Sequence, residues 1–269
     1  LRQPVKLTWP REQDFTNDQY RPMALSRVMA GVDANGRVTA FWNRVVTPSI
    51  GFQRKSASVL AGGVDSSAVE GSRGIPYQLS PKQVEWVRHT SAIPVGYWRS
   101  VGHSFNSFVV ESALDEIIQG TGADPIQFRL ALLDPNSRAA AVIKRVAQLA
   151  GWGSAVPSGR ARGVAFVESF GTSVAEIAEV SLTTTGLRVH RVWCSVDCGI
   201  AINPDQVKAQ MESGIVHGLA SAMWGSITFT QGKPTVTNFS KYRMLRMSEM
   251  PQIIVDVVPS TAAPTGAGE

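Results

Sequence analysis

Apolar and polar side chains alternate along the first part of the chain, a pattern typical of strands with one buried face. The alternation predicts strands over Val5–Trp9, Arg27–Asp33 and Val38–Val46. Between the last two, Asp33-Ala34-Asn35-Gly36 predicts a tight hairpin turn, because Asn-Gly accepts the positive φ angles that such a turn requires. Residues 48–75 are rich in glycine and serine with little periodicity, so we expect a loop there.

After Pro94 the apolar spacing becomes helical. One face of the first predicted helix, which we expect to be buried, is formed by Phe105, Phe108, Val109, Ser112, Ala113 and Ile117. Asp124-Pro125 predicts the start of a second helix that reaches Leu133, with aspartate as the N-cap and proline at the first helical position. Asp134-Pro135 repeats this start, so a third helix is expected over Ala139–Leu149.

The second half of the chain returns to alternation. In chain order it predicts strands over Gly163–Ser169, Ala175–Thr183 and Leu187–Val196 with a turn at Thr185-Gly186, a helix from Asn203-Pro204-Asp205 to Met223, and strands over Thr235–Phe239 and Gln252–Val258. The predicted fold class is α+β, with mixed or antiparallel sheets that carry helices on one face. We interpret Pro157-Ser158-Gly159 as a joint that divides the chain into residues 1–158 and 159–269.

Composition narrows the functional classes. The 269 residues are 43% hydrophobic and 17% charged, as in ordinary globular proteins, and no apolar run is long enough to predict a membrane span. The net charge is +5, but lysine and arginine are scattered, which argues against a nucleic-acid partner. Cys194 and Cys198 are too few for a disulfide framework or a four-ligand zinc site, so we expect them to pack as small apolar side chains.

A glycine-flanked turn, Gly96–Gly102, leads into the first predicted helix. Backbone N–H groups and the positive end of the helix dipole favour an anionic group at such a turn. Arg99 could add a bidentate contact to a phosphate or an oxo ligand. The alternative is a tight loop with Trp98 packed in the core and Arg99 in solvent.

A second segment runs from Cys198-Gly199 to the helix that follows Asn203-Pro204. One face of that helix is kept small by Gly214, Gly218, Ala220 and Ala222, so it can approach a sheet or a cofactor closely. Gln210 and Glu212 are polar in an otherwise apolar helix, and a buried glutamine would require hydrogen-bond partners. The alternative is a cap region that faces water.

The third segment, Ala263–Glu269, is a glycine-rich stretch that delivers a single carboxylate. Such a stretch can present an acid to a site where the backbone passes close by. The alternative is a flexible chain end. Of the four histidines, His103 alone lies beside one of these segments.

Taken in order, these segments resemble the molybdopterin-binding large subunits of the xanthine oxidase superfamily. They are most similar to isoquinoline 1-oxidoreductase β-subunits and to related bacterial aldehyde dehydrogenase large subunits. The stretches that carry the resemblance are Ile93–Gly102, Val196–Gly199, Ala209–Gly214 and Pro264–Glu269. The resemblance implies a fold of the molybdopterin-binding-domain type.

The resemblance also implies roles for individual residues. Arg99 matches the arginine of the turn that lies against the molybdenum cofactor, and Gln210 matches a glutamine that hydrogen-bonds the cofactor. Val101 stands at a substrate-binding position where xanthine-type enzymes carry phenylalanine, which argues against a purine substrate. Ala267-Gly268 matches backbone beside the metal, and Glu269 matches the catalytic base. The order of the motifs predicts that Arg99 and Gln210 face one surface.

As implied by the resemblance, the enzyme would be a molybdenum hydroxylase that oxidises an N-heteroaromatic or aldehyde carbon. Its cofactor would be molybdopterin, expected as the cytosine dinucleotide, and electrons would leave through [2Fe–2S] clusters on a small partner subunit. The glycine-rich loops of the family find no match, so an upstream part of the large subunit is expected as a further partner, and the chain alone is expected to be inactive. The alternative is a non-catalytic half-domain that docks the iron–sulfur subunit. Cellular location stays open between the cytoplasm and the periplasm or membrane of a bacterium.

Overall fold

The computed structural model describes residues 2–184 and 186–269. Its first sheet has three strands, β1 (Leu25–Val32), β2 (Val38–Thr47) and β3 (Lys82–Arg88), preceded by helix α1 (Arg11–Asn17). Strands β1 and β2 are antiparallel, whereas β2 and β3 are parallel. The predicted hairpin between β1 and β2 is confirmed, with Gly36 at a φ of 77°.

Three helices follow the first sheet: α5 (His103–Thr121), α6 (Pro125–Ala131) and α7 (Arg138–Leu149). The side chain of Asp124 caps α6 as predicted, since it accepts hydrogen bonds from the backbone N–H groups of the first turn. The predicted third helix over Ala139–Leu149 is confirmed as α7, but its N-cap is Ser137, and Asp134-Pro135 lies in the turn before it.

The second sheet has four strands in the order β4-β5-β6-β9. Their bounds are β4 (Ala161–Ser169), β5 (Thr172–Thr183), β6 (Gly186–Asp197) and β9 (Gln252–Val257). The predicted meander is confirmed, and β9 adds to β6 in parallel after helix α8 (Pro204–Met223) and the two-residue strands β7 (Phe229–Thr230) and β8 (Lys233–Pro234). The predicted turn at Thr185-Gly186 includes Thr185, which lies outside the described residues.

The second sheet is covered on both faces. Val164, Ile177 and Trp193 share one core with the helices before the sheet, and α7 packs on β5 and β6. Cys194 and Cys198 lie on the opposite face, in a second core with α8, as the sequence predicts for packed cysteines. The fold class of mixed and antiparallel sheets with helices is confirmed, but here the helices occupy two faces rather than one.

Two predicted strands are wrong. Val5–Trp9 is irregular, and its apolar residues Val5, Leu7 and Trp9 are 69%, 69% and 62% exposed. Thr235–Phe239 is also irregular, and the pairing in that region is instead between β7 and β8. Alternation alone does not make a strand, because backbone groups also need a neighbouring strand to bond.

The segment 48–75 is more ordered than its composition predicts. It contains three one-turn helices, α2 (Ile50–Gln53), α3 (Ala57–Leu60) and α4 (Ser66–Val69). Buried Asp65 caps α4 and accepts hydrogen bonds from Ser49 and Gly51, which fastens the segment together.

The buried face of α5 is turned by about one residue from the predicted face. The side chains that are buried are those of Asn106, Val110, Glu111, Leu114 and Ile118. Phe108, which was predicted to be buried, is 70% exposed. Glu111 is buried because it pairs with Arg129, a partner that periodicity cannot reveal.

The division of the chain at residues 158 and 159 stays an interpretation. In the described part of the chain, no helix is both long and apolar enough to cross a membrane.

Candidate active site

The turn before α5 has an unusual backbone. Ser100 and Val101 have φ angles of 66° and 42°, a region that favours glycine. Gly102 must be glycine, because a Cβ there would lie 2.2 Å from the carbonyl oxygen of Ser67. This conformation leaves the N–H groups of Ser100 and Gly102 free to bind side chains from elsewhere, and both bind carboxylates.

Glu269 is one of those carboxylates. Its Oε2 accepts a hydrogen bond of 2.6 Å from the backbone N–H of Ser100. The other is Glu70, whose Oε1 accepts from the N–H of Gly102 at 2.8 Å. Glu70 comes from the segment predicted to be a loop, and no sequence signal marks it.

The chain end that carries Glu269 is held in place. Thr265 donates its backbone N–H to Cys198 at 2.9 Å, and Gly266 accepts from the Thr172 hydroxyl at 2.6 Å. Gly199 passes so close that a Cβ would lie 2.1 Å from the Ala263 carbonyl oxygen. Ala267 packs against the core beneath α8. Gly199 is therefore required for the close approach of these two segments, whereas the backbone at Gly268 faces open space.

Arg99 joins the turn to α8. Its Nη2 donates to the Gln210 backbone carbonyl at 3.0 Å and to the Gln210 side-chain oxygen at 3.1 Å, and its Nη1 donates to Ser213 at 3.0 Å. A Cβ at Gly214 would lie 3.6 Å from Arg99 Nη2, an ordinary van der Waals distance, so this contact does not require a glycine. The predicted convergence of Arg99 and Gln210 is confirmed.

Arg99 and Gln210 are hydrogen-bond partners of one another, and Gln210 is exposed rather than buried. One atom still lacks a partner: Arg99 Nε is buried without a hydrogen bond among the described residues. Trp98 is 51% exposed, so the alternative that places it in the core is wrong.

His103 is the first residue of α5 and lies between the two carboxylates. Burial lowers its pKa, and the charges of Glu70 and Glu269 offset this in part. Its Nδ1 is buried and has no hydrogen-bond partner within the described chain. The sequence marked His103 by its position beside the turn, and the structure places it within the electrostatic reach of Glu269.

Arg21 also forms hydrogen bonds to the turn, and the sequence analysis did not identify it. Its guanidinium donates to the carbonyl of Arg99 at 3.0 Å and to the Ser104 hydroxyl at 2.9 Å. Burial lowers the pKa of Arg21, and the nearby Tyr242 offsets this in part. Arg21 and Arg99 both line a cavity of about 620 Å³. A larger cavity, about 1090 Å³, lies beside the β1–β2 hairpin and contains neither side chain.

The site fits a bulky anionic group better than a bare metal ion. It offers the unpaired Arg99 Nε, and a Cβ at Gly268 would meet nothing within 4 Å, whereas the N–H groups of Ser100 and Gly102 are already bound to carboxylates. Within residues 2–184 and 186–269, no three His, Cys, Asp or Glu side chains cluster as metal ligands would. A cofactor on this face would be held by hydrogen-bond donors and by close backbone.

Comparison with protein-family models decides the family. Residues 1–133 and 139–251 each match a model described as a molybdopterin cofactor-binding domain. The chain belongs to the molybdopterin cofactor-binding family. The predicted resemblance to molybdenum hydroxylase large subunits is thereby confirmed, and the chain is an oxidoreductase homologue with two such domains.

Individual relatives agree with this assignment. Isoquinoline 1-oxidoreductase subunit beta of Brevundimonas diminuta is 32% identical over 98% of this chain and 35% of its own length. Membrane-bound aldehyde dehydrogenase [pyrroloquinoline-quinone] of Gluconacetobacter polyoxogenes is 29% identical over 99% of this chain and 38% of its own length. The molybdopterin-binding chain thus spans roughly a third of these curated relatives.

Solved structures show the same fold. Quinoline 2-oxidoreductase from Pseudomonas putida 86 superimposes with a TM-score of 0.75, over 97% of this chain and 58% of the other, at 12% identity. At that identity the match supports the fold alone.

Proposed function

We propose that this chain supplies the catalytic face of a molybdenum hydroxylase large subunit that oxidises an N-heteroaromatic or aldehyde carbon with oxygen derived from water. The observation that carries the proposal is the convergence of Glu269, Arg99 and Gln210 on one turn. Glu269 is hydrogen-bonded to Ser100, and the preceding residue, Arg99, is hydrogen-bonded to Gln210. Three separate stretches of chain meet there, in a family that binds molybdopterin.

Glu269 is proposed as the general base. The Ser100 N–H engages Oε2 and fixes the orientation of the carboxylate, so Oε1 is the atom proposed to accept the proton. The strained turn holds this N–H rigidly, because Arg21 binds the carbonyl of Arg99 immediately before it. Val101, in the same turn, is proposed to border the substrate.

Arg99, Gln210 and the backbone of Ala267-Gly268 are proposed to hold the cofactor. The free Nε of Arg99 would donate to it, and the side chain of Gln210 would stay oriented by its hydrogen bond to Arg99. Gly268 lets a cofactor approach the backbone closely. Molybdopterin, proposed in its cytosine dinucleotide form, supplies the redox-active metal centre when bound.

Further parts of the enzyme are proposed from the family. Electrons would leave through [2Fe–2S] clusters, which need cysteine ligands. The two cysteines of this chain, Cys194 and Cys198, are both buried in a core, so the clusters would belong to a small partner subunit. One relative in sequence, isoquinoline 1-oxidoreductase subunit beta, is named as a subunit, which supports an assembly of several chains.

The test of this function is Glu269→Gln in the intact enzyme. The amide keeps the shape of the carboxylate but cannot accept a proton, so kcat should fall roughly 100- to 10,000-fold with unchanged molybdenum content. Glu116→Gln, at an exposed position of α5 away from the site, is the matched control and should leave kcat unchanged. A Glu269→Gln enzyme that keeps more than about a tenth of wild-type kcat would remove Glu269 from the mechanism.

A second prediction concerns the chain by itself. Because the phosphate-binding loops of the family are not recognisable in it, the purified 269-residue chain should carry far less than one molybdenum per chain. Elemental analysis measures this directly, and a stoichiometric metal content would contradict the expectation.

A further inference from the structure

The cavity beside Arg99 has walls suited to a flat ring. Tyr20, Trp98, Phe229 and Tyr242 are among its lining residues. The polar ends of two of these rings are already occupied: the Tyr20 hydroxyl donates to the Phe15 carbonyl at 2.6 Å, and the Trp98 indole N–H donates to the Gln19 carbonyl at 3.0 Å. Tyr20 and Phe229 also fix each other in an edge-to-face contact at 5.1 Å. The walls are therefore preformed and largely apolar.

The same cavity has an uncompensated positive charge. Arg21 and Arg99 both line it, and no aspartate or glutamate of the described chain does. Neither arginine forms an ion pair with any described residue, since their recorded partners are carbonyl, amide and hydroxyl oxygens. The Arg21 Nη2 atom carries two N–H groups and gives one to the Arg99 carbonyl, so the other remains for a ligand.

We infer that this cavity binds a small aromatic acid, with the ring between the aromatic walls and the carboxylate towards Arg21. A volume of about 620 Å³ is within the range of small-molecule sites and exceeds the needs of one or two fused rings. A guanidinium without a protein counter-ion binds a carboxylate through charge-assisted hydrogen bonds. A neutral ring would gain the apolar contacts but leave this charge unpaired.

The position of the cavity gives the inference a functional meaning. Arg99 lines the cavity, and the N–H of the next residue, Ser100, binds Glu269. Neither Glu269 nor Val101 lines the cavity, so the ligand would lie beside Arg99 and not in contact with the proposed base. The inference therefore goes beyond the proposed function: it adds a binding site for an aromatic acid next to the turn that holds Glu269.

The test is calorimetric titration of the intact enzyme with benzoate and with its neutral counterpart benzamide. Benzoate should bind saturably, and benzamide at least about tenfold more weakly, since a hydrogen bond to a charged group contributes about that much. Arg21→Gln should weaken benzoate by at least about tenfold and leave benzamide unchanged. Arg191→Gln, an exposed arginine on β6 outside the cavity, is the matched control and should change neither Kd by more than about twofold.

Because Arg21 also supports the turn, a second variant keeps the test independent of that role. Met244→Trp should fill the cavity and abolish benzoate binding with both arginines present. Equal affinity for benzoate and benzamide, unchanged binding in Met244→Trp, or tighter binding of cytidine monophosphate than of benzoate would each overturn the inference. Calorimetry needs no turnover, so this inference is tested separately from the proposed function, which depends on the turnover of Glu269→Gln.

Discussion

Two arginines join separate elements of this chain, one beside carboxylates and the other beside neutral oxygen atoms. Arg129 is completely buried, and it pairs with Glu111 and Asp115 at 2.8 Å each. Arg99 makes hydrogen bonds to Gln210 and Ser213 instead, and no described carboxylate pairs with it. The Arg129 guanidinium is neutralised within the core, whereas the Arg99 guanidinium leaves a positive charge at the edge of a cavity.

The difference shows which polar groups the fold itself requires. Burial lowers the pKa of Arg129, but its electrostatic interactions with Glu111, Tyr77 and Asp115 together outweigh burial and raise the pKa. Tyr77 adds a hydrogen bond to the Glu111 carboxylate at 2.8 Å, so that cluster is satisfied by the chain alone. Arg99 and Arg21 have no such counter-ions, and charges left unpaired beside a cavity are candidates for ligand binding.

The largest predicted effect comes from removing the buried arginine. Arg129→Met should lower the free energy of unfolding by about 3–5 kcal/mol, because Glu111 would remain buried without its counter-ion. Urea unfolding of the purified protein measures the change. Arg145→Met is the matched control: the Arg145 side chain is half exposed, so loss of its pair with Asp256 should lower the free energy of unfolding far less. Equal effects of the two substitutions would contradict the assignment of Arg129 to the core.

The sequence predicted the regular parts of the fold well. Periodicity and capping residues such as Asp124 and Asn203 predict the β1–β2 hairpin, the three helices α5, α6 and α7, and helix α8. Periodicity failed where tertiary partners decide. Glu111 lies on the buried face of α5 because Arg129 reaches it, and residues 48–75 are ordered around Asp65.

The site was predicted through motif order rather than through physical pattern. For each of Arg99, Gln210 and Glu269 the sequence also allows an interpretation without a role in binding or catalysis. The order of their motifs along the chain predicts that they belong to one site. Arg21 and Glu70 were missed, because both act through hydrogen bonds to the turn that leave no periodic pattern in the sequence. A lone charged residue in an irregular segment has no periodic neighbours, so sequence analysis cannot assign it.

The next largest effect on stability tests the same contrast with two carboxylates. Glu176 and Glu179 lie three residues apart on opposite faces of β5. Burial would raise the pKa of Glu179, but hydrogen bonds from Arg160 and Arg162 outweigh burial and lower it. Glu176 has no arginine, and burial raises its pKa to about 7, offset in part by a hydrogen bond with Cys194. Glu176 is thus a carboxyl group without a cationic partner, just as Arg99 is a cation without a carboxylate partner.

The sign of its effect on stability follows. A folded-state pKa above the unfolded value means that the folded protein holds the proton more tightly, so this stabilising contribution is present at low pH and is lost as the pH rises through about 7. Glu176→Gln should therefore stabilise the protein at pH values above 7, by on the order of 2 kcal/mol, and change little near pH 5. Urea unfolding at the two pH values checks this, and a stabilisation that is independent of pH would exclude titration of Glu176 as its cause.

The smallest effect on stability is expected at Arg99, where the effect on activity is the informative one. Arg99→Gln removes a charge that no carboxylate neutralises, and it removes the buried Nε that lacks a hydrogen-bond partner. The free energy of unfolding should therefore change by less than about 1 kcal/mol. The turnover number of the intact enzyme should nevertheless fall at least about tenfold, because the free Nε and the orientation of Gln210 are both lost. Arg99→Lys keeps the charge without the fork of donors and should recover part of the activity. If Arg99→Gln instead destabilised the protein as much as Arg129→Met and left turnover unchanged, Arg99 would be a second structural arginine, and the contrast between the two sites would disappear.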